Sequence, residues 1–385
     1  MKICLINNLY EPYARGGAEK ITKTIADGLI RAGHEIFIIT TKPSREKSLI
    51  SDPRRYYLNS LYYDLKKMPK FLRLFWQIWN LFNFLNYFRI KKILRAEKCQ
   101  AVITNNLMGV GFLTPLAIRR LGLKHLHIVH DIQLIHPGGL IRFGEERAIN
   151  GQWARNYAGL TARLFDSPQT VIFPSRWLLD RYLDKIFFIK SKRVVLPNPI
   201  ALKAVDRPPA GQIFKFLYLG QIEKHKGLSL LIQAYKKLRT EFSDTELIIA
   251  GSGAEFESAK LEAGADRSIK FLGRQSEIEV QQLLKTCQVL VMPTLCYENC
   301  PTVILEAFSA RLPILAADLG GISELLGEDA AGLLFRPGNA ADLAEKMAWA
   351  IGHREELAAM AKAGRDKADK FSIENYIKEL EKLIN

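Results

Sequence analysis

KICLINNLYEPYARGGAEKITKTIADGLIRAGHEIFIIT, residues 2–40, is the stretch on whose reading the fold turns. Residues 2–8 open as a short apolar run and predict a strand, and residues 10–17 a loop. Residues 18–32 place Ile21, Ile25 and Leu29 at helical spacing, Gly33 and His34 end that helix, and residues 35–40 predict a second strand. A strand, a helix and a strand of this length predict a right-handed βαβ unit in a parallel sheet. Gly16 and Gly17 open the helix, where backbone amides can approach a ligand, although such a pair is more often only a turn.

The alternation continues outward from there. Strands are expected at residues 100–105, 124–131, 169–174 and 193–197, then a polar, proline-rich linker at 200–212. It restarts with strands at 213–220, 246–251, 269–273, 289–293 and 313–317 and helices between them. A chain of 385 residues exceeds one ordinary core. The expectation is an α/β protein with domains at 1–205 and 206–370 and a terminal helical segment, 371–385, capped near Ser372. Two such halves would make a cleft, because ligands of open parallel sheets bind beyond the carboxyl ends of the strands.

Composition excludes several classes. Five cysteines without a CxxC pair argue against a disulfide framework and a zinc finger, and Cys296 and Cys300 read as small packing residues. The start, MKICLINN, leads straight into a polar loop without a long apolar run, which predicts no signal peptide and a cytoplasmic protein. The net charge of +15 is concentrated: residues 53–98 hold eleven Lys and Arg against two acids, a local excess of +9. Within them lies FLRLFWQIWNLFNFLNYF, residues 71–88. Phe71, Leu74, Phe75, Ile78, Phe82 and Leu85 form one helical stripe, and Trp76, Trp79 and Phe84 add apolar surface beside it. Its charge-free part falls short of the about 20 residues that span a bilayer. Aromatic residues flanked by Lys66, Lys67, Lys91 and Lys92 suit a helix lying in the interface of an anionic membrane, the inner face of the plasma membrane being the expected one. The competing reading is a buried helix with solvated basic neighbours.

The chemistry centres on ENCPTVILE, residues 298–306, where Glu298 and Glu306 are separated by seven residues. Pro301 fits the first turn of a helix, because its missing N–H would be unpaired there anyway. Glu298 then sits in the loop before a buried helix and Glu306 inside it. The N–H groups across Asn299, Cys300, Pro301 and Thr302 would point into the space that Glu298 faces, a ready site for phosphate. Carboxylates grip sugar hydroxyls, so the pattern suggests a nucleotide-sugar site; a capped core helix with two incidental glutamates is the plain alternative. Lys226, with Lys224 nearby, follows the first strand of the second half and can hold a phosphate as a point charge. His130, at a strand end beside Asp131, is a chemical candidate, while His125 and His127 share a strand face without a matching carboxylate for a metal. The loop at 135–150 reads as polar and mobile, a place for acceptor contacts. There is no P-loop, no dinucleotide fingerprint and no D-x-D.

GGAEKITKTIADGLIRAGHEI, HD at 130–131, GQIEKHKG, GSG, the paired glutamates and GGISELL occur in the order seen in the retaining glycosyltransferases of family 4, which this chain resembles over nearly its whole length outside residues 45–98. The resemblance implies the GT-B fold, two Rossmann-like domains facing a central cleft with the last helix crossing back to the first, and sugar transfer with retention and no required metal or other cofactor. Carried over, it implies that Glu306 binds the ribose, Glu298 faces the donor sugar and the following amides hold sugar or phosphate. Lys226 would hold the diphosphate, which Gly16 and Gly17 let the first loop approach. His130 would lie against the reacting sugar, and Gly251 and Arg274 would border the base. Gln221 departs from the family, which carries an arginine there; Lys226 and Lys224, or Arg15, would have to supply the charge. The expected reaction moves a hexosyl group from a UDP- or GDP-sugar to a glycan or lipid-linked acceptor in cell-surface polysaccharide or glycolipid synthesis. The rivals are a nucleotide-sugar epimerase of the same fold and a basic nucleic-acid-binding protein.

Overall fold

A computed structural model describes residues 1–14, 16–44, 54–202, 207, 211–327 and 330–385, and the side chains of Lys66, Lys67 and Lys70 lie outside that description. The chain divides into two units, one of residues Met1–Leu140, Arg147–Pro199 and Ile373–Asn385, the other of Ile141–Glu146 and Ile200–Ser372.

The first unit runs β1 (Lys2–Ile6), α1 (Gly17–Arg31), β2 (Glu35–Pro43), β3 (Arg55–Ser60), α2 (Lys70–Leu81), α3 (Phe84–Glu97) and β4 (Ala101–Thr104). It continues with α4 (Thr114–Arg119), β5 (Lys124–Ile128), α5 (Gln152–Phe165), β6 (Thr170–Phe173), α6 (Arg176–Leu183) and β7 (Lys192–Val195). All seven strands are parallel, in the order β3-β2-β1-β4-β5-β6-β7. Helices cover both faces of such a sheet, so its central strands are apolar without alternation. Ile3, Cys4, Leu5 and Ile6 are each fully buried.

The second unit runs β8 (Phe214–Leu219), α7 (Leu228–Arg239), β9 (Thr245–Ala250), α8 (Phe256–Ala263), β10 (Ile269–Gly273), α9 (Glu277–Thr286) and β11 (Val289–Met292). Then come α10 (Thr302–Ser309), β12 (Ile314–Ala317), α11 (Gly321–Gly327), β13 (Leu333–Phe335), α12 (Ala340–Gly352) and α13 (Arg354–Lys370). Its six parallel strands are ordered β10-β9-β8-β11-β12-β13. The last helix, α14 (Ile373–Ile384), belongs to the first unit: Ile373, Tyr376, Ile377, Leu380 and Ile384 complete the core formed by Ile21, Ile25 and Leu29 of α1.

Two local expectations are corrected, and one strand had no sequence expectation. Residues 55–60, inside the basic segment, form the edge strand β3; Tyr56 and Tyr57 are only half-buried there, so the apolar signal of a central strand is missing. The stripe at 71–88 is not one helix but two, α2 ending at Leu81 and Asn83 capping α3 by accepting from the Asn86 N–H at 3.0 Å. Trp76, expected on the membrane face, is 8% exposed and packs on the Tyr62 ring, whereas Trp79 is 57% exposed.

The pair α2–α3 is amphipathic the wrong way round for a soluble core. Ten large apolar side chains from Phe71 to Phe88 are exposed, while Asn80, Asn83 and Asn86 are buried. Asn80 accepts from the Gly109 N–H at 2.7 Å, and Asn86 donates to the Val110 carbonyl at 2.7 Å. Buried amides are stable only when paired in this way. No helix among the described residues is long and apolar enough to cross a membrane.

Candidate active site

In the second unit the strand order reverses beside β8, which pairs with β9 on one side and β11 on the other. Such a switch point opens a crevice at the carboxyl ends of the strands. The turn after β8 brings Lys224, His225 and Lys226; the loop after β11 brings residues 293–301. The two strands' loops touch where Gly227 adopts φ +72°, and a Cβ there would lie 1.8 Å from the Pro293 carbonyl oxygen. No other residue fits such an approach. The Leu295 N–H donates to the His225 carbonyl at 2.8 Å and locks the crossing.

That crossing delivers the Lys226 ammonium to Glu298 Oε1 as a hydrogen-bonded ion pair. Burial opposes the Lys226 charge, but the Glu298 carboxylate and the Cys296 sulfur outweigh it and hold the lysine pKa above its ordinary value. The Cys296 thiol lies 3.6 Å from the same Oε1 and is pushed up to about 11, by burial first and then by the Glu298 charge. The backbone of Glu298 is fixed from the other side: its carbonyl accepts the Gly321 N–H at 2.7 Å. Gly320, at φ +62°, allows this approach, since its Cβ would lie 2.5 Å from that carbonyl oxygen.

Glu306 is half-buried on α10, in the turn after Thr302. Pro301 stands at the N-cap with φ −64°, one residue before the helical turn expected for it, and Ile304 N–H donates to its carbonyl at 3.1 Å. As a proline it contributes no amide, so the N–H groups of this end come from Asn299, Cys300 and Thr302. Gln221 is exposed, and its carbonyl accepts the Tyr218 hydroxyl at 2.7 Å. Gly251 donates to the Gly273 carbonyl at 2.8 Å, which sets the end of β9 beside the exposed Arg274.

The loop expected to be mobile is instead paired. Residues Ile141–Glu146 belong to the second unit and lie along the strand-like residues before Glu298. Phe143 N–H donates to the Leu295 carbonyl and Tyr297 N–H to the Ile141 carbonyl, both at 2.9 Å. The Tyr297 hydroxyl donates to Glu146 Oε1 at 2.9 Å. Backbone amides and this hydroxyl hold the Glu146 pKa below the ordinary carboxylate value. Nothing local in the sequence signals a pairing across 151 residues.

In the first unit the order reverses between β2-β1 and β4. His130 Nε2 meets Asn105 Oδ1 at 2.8 Å, and burial lowers its pKa to about 4, so the ring is neutral near pH 7. Burial pushes Asp131 up to about 7, against hydrogen bonds from Gln133 and Asn106 that favour its charge. Gly16 gives its N–H to the Glu19 carboxylate at 2.6 Å, so this amide caps α1; Gly17 is the first helical residue, and Arg15 lies outside the described residues. His125 and His127 share the Thr104 hydroxyl at 2.8 and 2.9 Å in the core, and burial lowers the His125 pKa to about 3. They are satisfied structural histidines; among the described residues no group of three His, Cys, Asp or Glu is placed to hold a metal ion. Of the basic residues named with the aromatic stripe, Lys91 sits 5.8 Å from the Tyr87 ring and Lys92 is exposed.

Two parallel α/β units, with a paired lysine and glutamate at the second switch point, define a GT-B glycosyltransferase. Comparison with known proteins agrees. The model of Glycosyltransferase Family 4 matches residues 15–204, and that of Glycosyl transferases group 1 matches residues 206–367. The chain belongs to this glycosyltransferase family. An uncharacterized glycosyltransferase of Methanocaldococcus jannaschii is 26% identical, over 98% of this chain and 96% of its own. A lipopolysaccharide 1,2-N-acetylglucosaminetransferase of Salmonella typhimurium is 25% identical over 56% of this chain and 62% of its own. Among solved structures, HepE of Anabaena in complex with UDP superimposes with a TM-score of 0.74 at 17% identity, covering 99% of this chain and all of that one. HepE is also known with UDP-glucose bound.

Proposed function

We propose that this glycosyltransferase takes a hexosyl group from a nucleoside diphosphate sugar, UDP-sugar first, and passes it with retention to a glycan or lipid-linked acceptor. The observation that carries the reading is the Lys226–Glu298 pair set beside the first turn of α10, with Glu306 inside that helix. Lys226 neutralises the diphosphate as the bond to the anomeric carbon breaks. The Glu298 carboxylate accepts from donor-sugar hydroxyls and Glu306 from the ribose, while the amides around Thr302 donate to phosphate or sugar oxygens. Retention requires the acceptor oxygen to enter on the face from which the diphosphate leaves. Neutral His130 is suited to hydrogen-bond a sugar hydroxyl rather than to pair with a charge. The UDP complexes of HepE support the choice of base, and the lipopolysaccharide relative supports a membrane-borne acceptor.

The exposed apolar face of α2–α3, with Arg89, Lys91, Lys92 and Arg95 on the same segment, supports peripheral attachment to an anionic membrane. Phe75→Ser with Trp79→Ser should abolish sedimentation with anionic liposomes; unchanged sedimentation would refute that attachment.

A thermal-shift panel of UDP, GDP, ADP and their sugar conjugates tests the donor site. A ligand at a hundredfold excess over its Kd stabilises the folded state by about 2.7 kcal/mol. We expect a shift with uridine nucleotides, unaffected by EDTA and lost in Glu306→Ala. A shift with no nucleotide, or one that Glu306→Ala leaves intact, would refute the site.

A further inference from the structure

The second sheet has another end. At the amino ends of β8, β11 and β12, away from Lys226 and Glu298, a cavity of about 830 Å³ opens beside α13. Its walls are apolar: Phe214, Pro313 and Leu357 are buried in them, and Ala358 and Ala361 of α13 continue the surface. Yet seven cations and a single carboxylate, Asp366, line it. This local excess of +6, with the +9 of residues 53–98, accounts for the whole net charge of +15.

Two of the seven serve the fold. Arg207 donates to the carbonyls of Leu284, Ala310 and Arg311, which closes the ends of α9 and α10, and Arg365 pairs with Asp369 at 3.3 Å. Arg354 stands over the Phe214 ring at 5.9 Å. Among the described residues, Lys215, Lys285, Arg311 and Lys362 make no ion pair. Like charges gathered at one cavity repel, so they favour an anion between them.

Arg311 adds an independent observation. It follows α10 at φ +52°, in a closing turn where its N–H donates to Phe308 and the next N–H, from Leu312, to Ala307. Glycine is the residue such a turn favours. An arginine kept there, with its side chain on the cavity, carries a backbone strain that the turn itself does not need.

We propose that this cavity binds an amphiphilic phosphate: a phosphate held by Lys215, Lys285, Arg311 and Lys362, with an apolar body against Phe214 and the alanines of α13. The compound is either a membrane phospholipid or a free phosphorylated metabolite with an apolar portion. Neither identity depends on the donor site described above.

Isothermal titration of the full chain with hexyl phosphate, at fixed ionic strength, tests it. The expected result is one site per chain, with affinity at least tenfold tighter than for inorganic phosphate and lowered at least tenfold in Arg311→Gly with Lys362→Ala. Both changes are gentle, since glycine suits the turn and Lys362 is exposed; an unchanged circular dichroism spectrum and melting temperature show that the variant is folded. Vesicles containing phosphatidic acid, offered to a protein that carries Phe75→Ser and Trp79→Ser, identify the source. Binding that the Arg311 and Lys362 changes abolish means a phospholipid, and hexyl phosphate binding without vesicle binding means a free metabolite. No heat with hexyl phosphate, equal affinity for inorganic phosphate, or unchanged affinity in the variant would overturn the proposal.

Discussion

The carboxyl edges of the two sheets are built alike and equipped differently. Each lies at a reversal of strand order, yet the first presents asparagines, a neutral His130 and an Asp131 that is only about half ionised near pH 7, whereas the second presents the charged pair Lys226 and Glu298. The cause is burial without an opposite charge in one case and with one in the other. An imidazole or carboxyl that loses water and gains only neutral partners gives up its charge; an ammonium that gains a carboxylate keeps it. On the function proposed above, the charged edge would meet a diphosphate and the neutral edge hydroxyl groups.

Lys226→Ala tests the charged edge most severely. It removes the cation and leaves Glu298 without its partner, and kcat/KM should fall by about 10²–10³, roughly 3–4 kcal/mol of transition-state stabilisation. Steady-state turnover of UDP-sugar would show it, and near-intact turnover would erase the contrast between the edges.

Acid should break the neutral unit first. His125, His127 and His130 are held uncharged in the fold, with values of about 3 for His125 and about 4 for His130 against an ordinary 6.5. Lowered folded values mean that the unfolded chain binds more protons below pH 6.5, so stability is lost as pH falls from there. The loss should be roughly 1.5 kcal/mol for each imidazole between pH 6.5 and 5. Asp131 works in the opposite sense: its raised value favours the fold at low pH, and that share is lost as pH rises through about 7. Four of the five tryptophans, 76, 79, 153 and 177, lie in the first unit, so their fluorescence reads its unfolding. A first unit that outlasts the second at pH 5 would contradict the assignment.

His130→Ala should cost less than the lysine change. A neutral hydrogen bond is worth about 1 kcal/mol, so kcat/KM should fall about tenfold at most. The pH profile above pH 5 should keep its shape, because the ring does not titrate there. A limb that vanishes with the histidine would mean a charged role.

Tyr297→Phe is the mildest test. It deletes the bond to Glu146 and should lower stability by about 1 kcal/mol, a shift in Tm of about 2–4 °C. No shift would mean that the 141–146 segment is held by its backbone pairing alone.

Most of the architecture was legible because central parallel strands are buried on both faces and read as unbroken apolar runs, as Ile3 to Ile6 and Val289 to Met292 do. The edge strand β3 escaped because its exposed, basic surroundings hide that signal. Glu298, Glu306 and Lys226 were visible as a spacing and a strand-end position. The Cys296 thiol on Glu298 and the Tyr297–Glu146 bond were not, since they depend on chain crossings that no local pattern encodes. The three-residue spacing of Asn80, Asn83 and Asn86 was in plain view, and it shows which face of the aromatic helices turns inward.

Helix α10 has a further consequence. Its eight residues make a rod about 12 Å long. Glu298 and Pro301 stand at one end and Arg311 closes the other, on the basic cavity. If a phosphate at Arg311 displaced this short rod, the Glu298 end would be displaced with it. Thermodynamic reciprocity then applies: whatever factor a phosphate at Arg311 imposes on the dissociation constant of the nucleotide, the nucleotide imposes on that of the phosphate. The supply of one compound would thus set the appetite of the enzyme for the other.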